Sequence, residues 1–260
     1  MVAPAPQESR ARLRWEIAIV LAVGLGQSAV YSIVNLVNRL TLDTPLGQQT
    51  TTLNPSRDER EVFDLVYQLL SIGFGLVPVL LVGYLLWRPD RPHLRRLGVT
   101  FDRPGRDALA GLLLVAIIAV PGIAIYVLGR LLGFGVAVDP AGLGAHWWTV
   151  PVLVLSAARA ALQEELVVLG YLFARLGDLG WGRWPIIVGS ALLRGSYHLY
   201  QGFGGFIANA LMGLLFGWWF ARTGRVWPFV IAHFVVDAVV FIGAPWAFAT
   251  FPDLFGVPAS

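Results

Sequence analysis

The stretch Ala160-Ala-Leu-Gln-Glu-Glu-Leu-Val-Val-Leu-Gly-Tyr-Leu172 decides how this chain is read. It has the apolar character of a membrane-buried helix, yet it carries two adjacent carboxylates, Glu164 and Glu165. A charge at the middle of a membrane helix costs roughly 2.5–3.5 kcal/mol on insertion scales, so such residues usually face a polar cavity and act there. Two apolar segments downstream also carry polar groups. Arg194 and His198 lie in one, His233 and Asp237 in the other. The expectation is that three helices bring these groups into one intramembrane site.

The composition around that stretch agrees. Of 260 residues, 57% are hydrophobic and 13% charged, against about 25% charged in a soluble domain. Apolar runs of about 20 residues recur, the length that crosses a hydrocarbon core as helix. The expected fold is all-α, a polytopic transmembrane bundle of about seven spans. The chain has no cysteine, which excludes thiol catalysis, disulfides and cysteine-ligated zinc. The net charge of +3 is explained by loop arginines acting as topology signals, so no nucleic-acid partner is expected. Every basic residue is Arg. With the abundance of Ala, Gly and Val, that points to a GC-rich bacterial genome and a multi-pass protein of the bacterial plasma membrane.

Residues 1–14 form a Pro/Ala-rich cytoplasmic segment ending in Arg10, Arg12 and Arg14. Residues 15–147 hold three spans, near 15–38, 62–87 and 108–132. Residues 148–248 hold four, near 148–173, 184–200, 206–221 and 227–248, and residues 249–260 are a tail. The first apolar run is too long for a signal peptide and is expected to stay as one span. Gly73, Gly75 and Pro78 are bend points in the second. Gln201 to Gly205 is expected as a tight turn, and Trp147-Trp148 as an interfacial anchor. Gly213 and Gly217 make a small face for close packing. The N-terminus and the loops at 88–106, 174–184 and 222–225 are basic. They alternate with 39–61, 133–147, 201–205 and the tail, which are not. The positive-inside rule then sets the N-terminus in the cytoplasm and the C-terminus outside.

Neighbours in a helix point about 100° apart, so Glu164 and Glu165 do not aim at one spot. One division of labour has one carboxylate working while a cation holds the other. The competing reading has both near the cytoplasmic end, snorkelling beside Arg159 or Arg175. Arg194 and His198 are four apart and share a face, as do His233 and Asp237. A Glu with two His activates water in one of two ways. Either the Glu is the general base, or a metal held by His198 and His233, zinc being the candidate, lowers the water pKa. Tyr197 and Asn209 are candidate oxyanion donors, against simple packing. No serine sits in a nucleophile context, and no Gly loop cradles phosphate.

At these residues the sequence resembles the CPBP family of intramembrane proteases, which includes CAAX endopeptidases and the bacteriocin-processing and immunity (Abi) proteins. The family pattern is Glu-Glu-x-x-x-Arg, then Phe-x-x-x-His, then His-x-x-x-Asn or Asp, each on its own helix. Glu164-Glu165 with Gly170-Tyr171 fit the first motif, His198 the second, and His233-Phe-Val-Val-Asp237 the third, preceded by Arg222-Thr-Gly. The resemblance covers roughly residues 150–242 and makes residues 148–248 a CPBP-type core. It implies hydrolysis of a peptide bond in a membrane-associated protein. Glu164 would activate the water, and His198, His233 and Asp237 would complete the site or hold a metal. Two positions depart. The motif arginine falls at Leu169 and the motif phenylalanine at Arg194. An exchange that keeps the charge and moves its origin predicts a bridge from Arg194 to Glu165.

Two other functions compete. One is a non-proteolytic membrane scaffold or immunity-type protein with the same fold. The other is a proton-coupled transporter, disfavoured because no internal repeat is evident.

Overall fold

Each apolar run becomes helix, and most breaks fall at Gly or Pro. The computed structural model describes residues 9–87, 93–139 and 142–251. Arg88, Arg91, the first eight residues and the tail beyond 251 lie outside them.

Helix α1 (Arg10–Ala22) begins behind Ser9, whose hydroxyl accepts from the Arg12 amide. Such a cap satisfies one of the free N–H groups at a helix start. Arg10, Arg12 and Arg14 therefore lie inside the helix rather than ahead of it. Helix α2 (Leu25–Leu40) follows at a bend of 56°. The single straight first span expected is instead two helices that meet at Val23-Gly24. Helices α3 (Glu61–Gly75) and α4 (Val77–Leu85) divide at Leu76, with Pro78 in the first turn of α4. A proline is tolerated there because the first turn has no use for its missing N–H. Beyond α5 (His93–Arg96), α6 (Pro104–Leu131) runs 28 residues through Pro121.

Helix α7 (Thr149–Glu164) passes into a π-helical segment (Glu165–Leu172) and then α8 (Phe173–Asp178). Helix α9 (Arg183–Tyr197) ends at His198. A 3-10 turn (Leu199–Gln201) leads into α10 (Gly202–Thr223), and α11 (Trp227–Thr250) closes the described chain. The tight turn expected at 201–205 is therefore that 3-10 turn plus the start of α10. Gly202 has φ 82°, and a Cβ there would meet the Phe134 carbonyl at 2.9 Å. Only glycine suits that position.

Four stretches are long and apolar enough to cross a membrane: Glu61–Leu85, Pro104–Leu131, Leu199–Thr223 and Trp227–Ala244. A fifth is added if α1 and α2 form one bent span. The protein is a polytopic, all-α membrane protein, with one short strand pair among the described residues. Two segments of the expected seven fall short of this measure for a physical reason. Residues 149–178 carry Arg159, Glu164, Glu165 and Arg175, and α9 has 15 residues with Arg183 and Arg194 among them. Charge and shortness gather where the polar groups are.

The loops sort to two ends as the arginines divided them. At one end Arg175 bonds Glu16 (2.7 Å) and Asp178 (3.3 Å), and Arg96 bonds Asp178 (2.8 Å). Arg225 bonds Asp102 (2.9 Å) and Asp107 (2.6 Å). The Arg225 hydrogen bond holds the exposed Asp102 carboxyl down at about 2. At the other end, β1 (Thr50–Thr52) pairs in parallel with β2 (Ala137–Asp139), Thr51 opposite Val138. Bridges Pro55 to Gly142 and Gly135 to Gly202 join the same three loops. Trp148 lies inside this end, 2% exposed, stacked on His146 and donating to Glu61. Only Trp147, 80% exposed, fits an interfacial anchor. The burial of Trp148 corrects the paired anchor expected from sequence.

Gly213 and Gly217 turn their small faces inward, so that α10 lies close on its neighbours. A Cβ at Gly213 would stand 2.9 Å from the Ala191 Cα and 3.3 Å from the Arg194 Cδ. A Cβ at Gly217 would stand 3.3 Å from the Phe173 ring.

Candidate active site

Three elements supply the polar groups. The α7–π junction carries Glu164 and Glu165. The end of α9 carries Arg194, Tyr197 and His198. The middle of α11 carries His233 and Asp237. All seven lie in one cluster. The π-helical segment begins at Glu165 itself. Such local widening of a helix is frequent at functional sites. Close packing fixes it from outside: a Cβ at Gly170 would come 2.9 Å from the Leu97 carbonyl.

The two carboxylates have different surroundings. Glu165 is fully buried, and one oxygen takes both Arg194 Nη2 (2.6 Å) and His233 Nδ1 (2.7 Å). The bridge expected from the Leu169 and Arg194 departures is present. The Arg194 guanidinium also stands 5.6 Å from the centroid of the Phe216 ring. Glu164 remains partly open. Its Oε2 accepts from the Tyr197 hydroxyl (2.7 Å) and faces Arg194 Nη1 (3.6 Å) and His198 Nε2 (3.9 Å). The snorkelling alternative does not hold. Arg159 bonds Gln163, and Arg175 bonds Glu16 and Asp178.

His198 stands at the C-cap of α9, where the helix gives way to the 3-10 turn. Both of its ring nitrogens are buried without a hydrogen-bond partner. So are Arg194 Nη1 and Glu165 Oε2. Buried polar groups in native proteins nearly always have partners, and those that lack them call for an explanation such as water or a ligand. The 3.9 Å gap between His198 and Glu164 is beyond a direct bond and leaves polar atoms on both sides for a third group. Among the described residues, Asp237 meets the site through His233 Nε2, at 3.4 Å.

Asn209 is not brought into the cluster. Its amide donates to the Gly205 carbonyl one turn back in α10 (3.0 Å), the packing alternative to an oxyanion donor. The metal pairing of His198 with His233 does not fit either. His233 has one nitrogen on Glu165 and the other facing Asp237. Among the described residues no group of three or more His, Cys, Asp or Glu side chains is arranged to hold a metal ion. One residue beside the cluster was not singled out from the sequence. Tyr200 stacks beside His198 with ring centroids 6.2 Å apart, and its hydroxyl accepts from Gln201. Its place in the helix break directly after His198 was the available signal.

No curated protein and no solved structure matches this chain. Residues 146–239, the stretch that holds every group of the cluster, match the family model of type II CAAX prenyl endopeptidase Rce1-like proteins, the CPBP group that the motifs resemble.

Proposed function

We propose that the protein is an intramembrane endopeptidase of the bacterial plasma membrane, crossing it about seven times with its N-terminus in the cytoplasm. It hydrolyses a peptide bond of a membrane-associated protein with water activated by Glu164. The observation that carries this reading is the inequality of the two carboxylates. Glu165 is fully enclosed by Arg194 and His233, whereas Glu164 keeps an accessible face.

In this mechanism Glu164 takes a proton from water as the water attacks the scissile carbonyl. His198 borders the same carboxylate oxygen with both nitrogens free of protein partners. It donates to the oxyanion, and the proton taken up by Glu164 passes by way of His198 to the amine nitrogen as the C–N bond breaks, which leaves Glu164 a carboxylate again. The Tyr197 hydroxyl orients Glu164. Arg194, Glu165, His233 and Asp237 form a bonded chain that fixes helices α9 and α11 against the α7–π junction. No step runs through a metal.

The test is comparative membrane proteomics of wild-type cells against cells carrying Glu164→Gln. Uncleaved membrane proteins should accumulate in the variant, and purified wild-type protein should cleave them in liposomes. Identical proteomes, with the variant folded and inserted, would favour the non-proteolytic scaffold.

A further inference from the structure

His198 sits where a helix stops, and a serine from the first half of the chain helps to stop it. Helix α9 ends at Tyr197, and His198 has φ −102° and ψ 4°. In an unbroken helix the Gln201 amide would donate to the Tyr197 carbonyl, four residues back. Here that amide donates to the His198 carbonyl instead, at 3.0 Å. The Tyr197 carbonyl accepts from the Ser32 hydroxyl, at 2.9 Å. A carbonyl freed at a helix end and buried needs such an outside donor.

Helix α2 places Ser32 for this task. Its buried residues are Leu25, Ala29, Ser32 and Leu36, three or four apart and so on one face. Ser32 is the polar member, 6% exposed. One turn on, Leu36 forms a core with Leu46 and Val136, against which Leu199 packs. Helix α2 thus holds the residue on each side of His198, Tyr197 by a hydrogen bond and Leu199 through apolar packing. The far end of the same bent pair is fixed to the chain that carries Glu164. On α1, Glu16 accepts from Tyr171 (3.0 Å) and Arg175 (2.7 Å), and Arg175 also donates to the Leu85 carbonyl (3.0 Å). Tyr171 belongs to the π-helical segment and Arg175 to α8. The pair α1–α2 therefore braces the Glu164 helix against the break at His198. It lies outside residues 146–239, the stretch that matches the family model.

We propose that Ser32 is a positioning residue for the hydrolysis: its hydroxyl holds the end of α9 open at Tyr197 and so sets the His198 ring 3.9 Å from Glu164. This rests on the reading of Glu164 and His198 as the working pair of a peptide hydrolase. Ser32 acts through the backbone that carries the ring, one residue away. Without the hydroxyl, the Tyr197 carbonyl competes for the Gln201 amide. Helix α9 then continues past Tyr197, and the His198 ring turns with it. A misplacement of about 1 Å costs up to about 100-fold in rate.

The experiment uses the full-length protein in liposomes and a fluorogenic peptide taken from a membrane protein that accumulates in Glu164→Gln cells. Ser32→Ala should lower kcat about 10–100-fold and leave KM within about threefold. Ser32→Thr keeps the hydroxyl and should retain most of the rate. Ser32→Cys, close in volume but a weak donor, should fall between and serves where the alanine variant does not accumulate. Ser28→Ala, on the exposed side of the same helix, should leave the rate unchanged. A serine that only added stability would lower the melting temperature and leave kcat of the folded protein as it was. Unchanged kcat in Ser32→Ala and Ser32→Cys, or a loss that Ser32→Thr does not recover, overturns the proposal. If no protein accumulates, or wild type cuts no peptide, the parent reading falls instead. NMR of protein labelled at the histidine Cε1 then decides on Ser32 by itself, with the signal of His198 assigned by His198→Gln. A His198 signal that moves in Ser32→Ala or Ser32→Cys, returns in Ser32→Thr and leaves that of His146 in place supports the role. A His198 signal that stays where it is rejects it.

Discussion

Arg194 Nη2 stands 2.6 Å from Glu165 Oε1, joining the end of α9 to the start of the π-helical segment. Both residues are fully buried. Leu169, where the family pattern has its arginine, is packed in the apolar core one helical turn beyond Glu165. The charge that would have come from the same helix comes from the neighbouring one.

Removing one partner of a buried pair typically costs about 3–5 kcal/mol, because the other is left uncompensated. Arg194→Leu should therefore lower the melting temperature of the purified protein sharply, or prevent its accumulation. Leu169→Arg combined with Arg194→Phe should restore much of the loss. A double variant no more stable than Arg194→Leu would contradict the exchange.

Glu164 and Asp237 should differ in consequence. Losing a general base costs roughly 10²–10⁴-fold in rate, so Glu164→Gln should abolish measurable cleavage. Among the described residues, Asp237 has its ion pair with His233, at 3.4 Å. Asp237→Asn should keep measurable turnover, since the amide oxygen still accepts from the ring. Cleavage assays on the two variants side by side check this division, and equal complete loss would refute it.

Tyr197→Phe deletes the hydroxyl that bonds Glu164 at 2.7 Å and leaves a ring of nearly the same shape. A hydrogen bond to a charged group is worth about 1.5–3 kcal/mol, or a factor of about 10–100. The variant should lower kcat, with a fall in melting temperature corresponding to that loss of stability. Asn209→Ala should leave kcat almost untouched, because that amide bonds its own helix.

The arginine-bonded end of the bundle should face the cytoplasm. Cysteines placed at Thr223 and Asp178 should be shielded from a membrane-impermeant thiol reagent in intact cells. Cysteines at Thr51 and His146 should be labelled. A reporter fused after Ser260 should read the outer side. Labelling of the first pair would reverse the orientation.

Much of this molecule was legible without coordinates, for reasons of scale. Helix length follows from the count of apolar residues between charges, so α6, α10 and α11 begin and end close to where their runs do. The end at which a loop lies follows from its arginines, and Arg96, Arg175 and Arg225 do meet there. The three motifs were visible because ionisable residues are rare in apolar helices. What sequence could not supply is rotation and local winding. Residue spacing alone left open which glutamate was held, because adjacent residues differ by about 100° and helix packing selects between them; only the family resemblance, with its departures at Leu169 and Arg194, pointed to Glu165. The contact of α9 with the α7–π junction enclosed Glu165 and left Glu164 beside Tyr197 and His198. The π-helical winding at Glu165, the break at Gly24, the burial of Trp148 and the inward bond of Asn209 were likewise decided by tertiary structure. Each depends on which neighbour a side chain meets across the bundle, and the order of residues along one helix does not encode that.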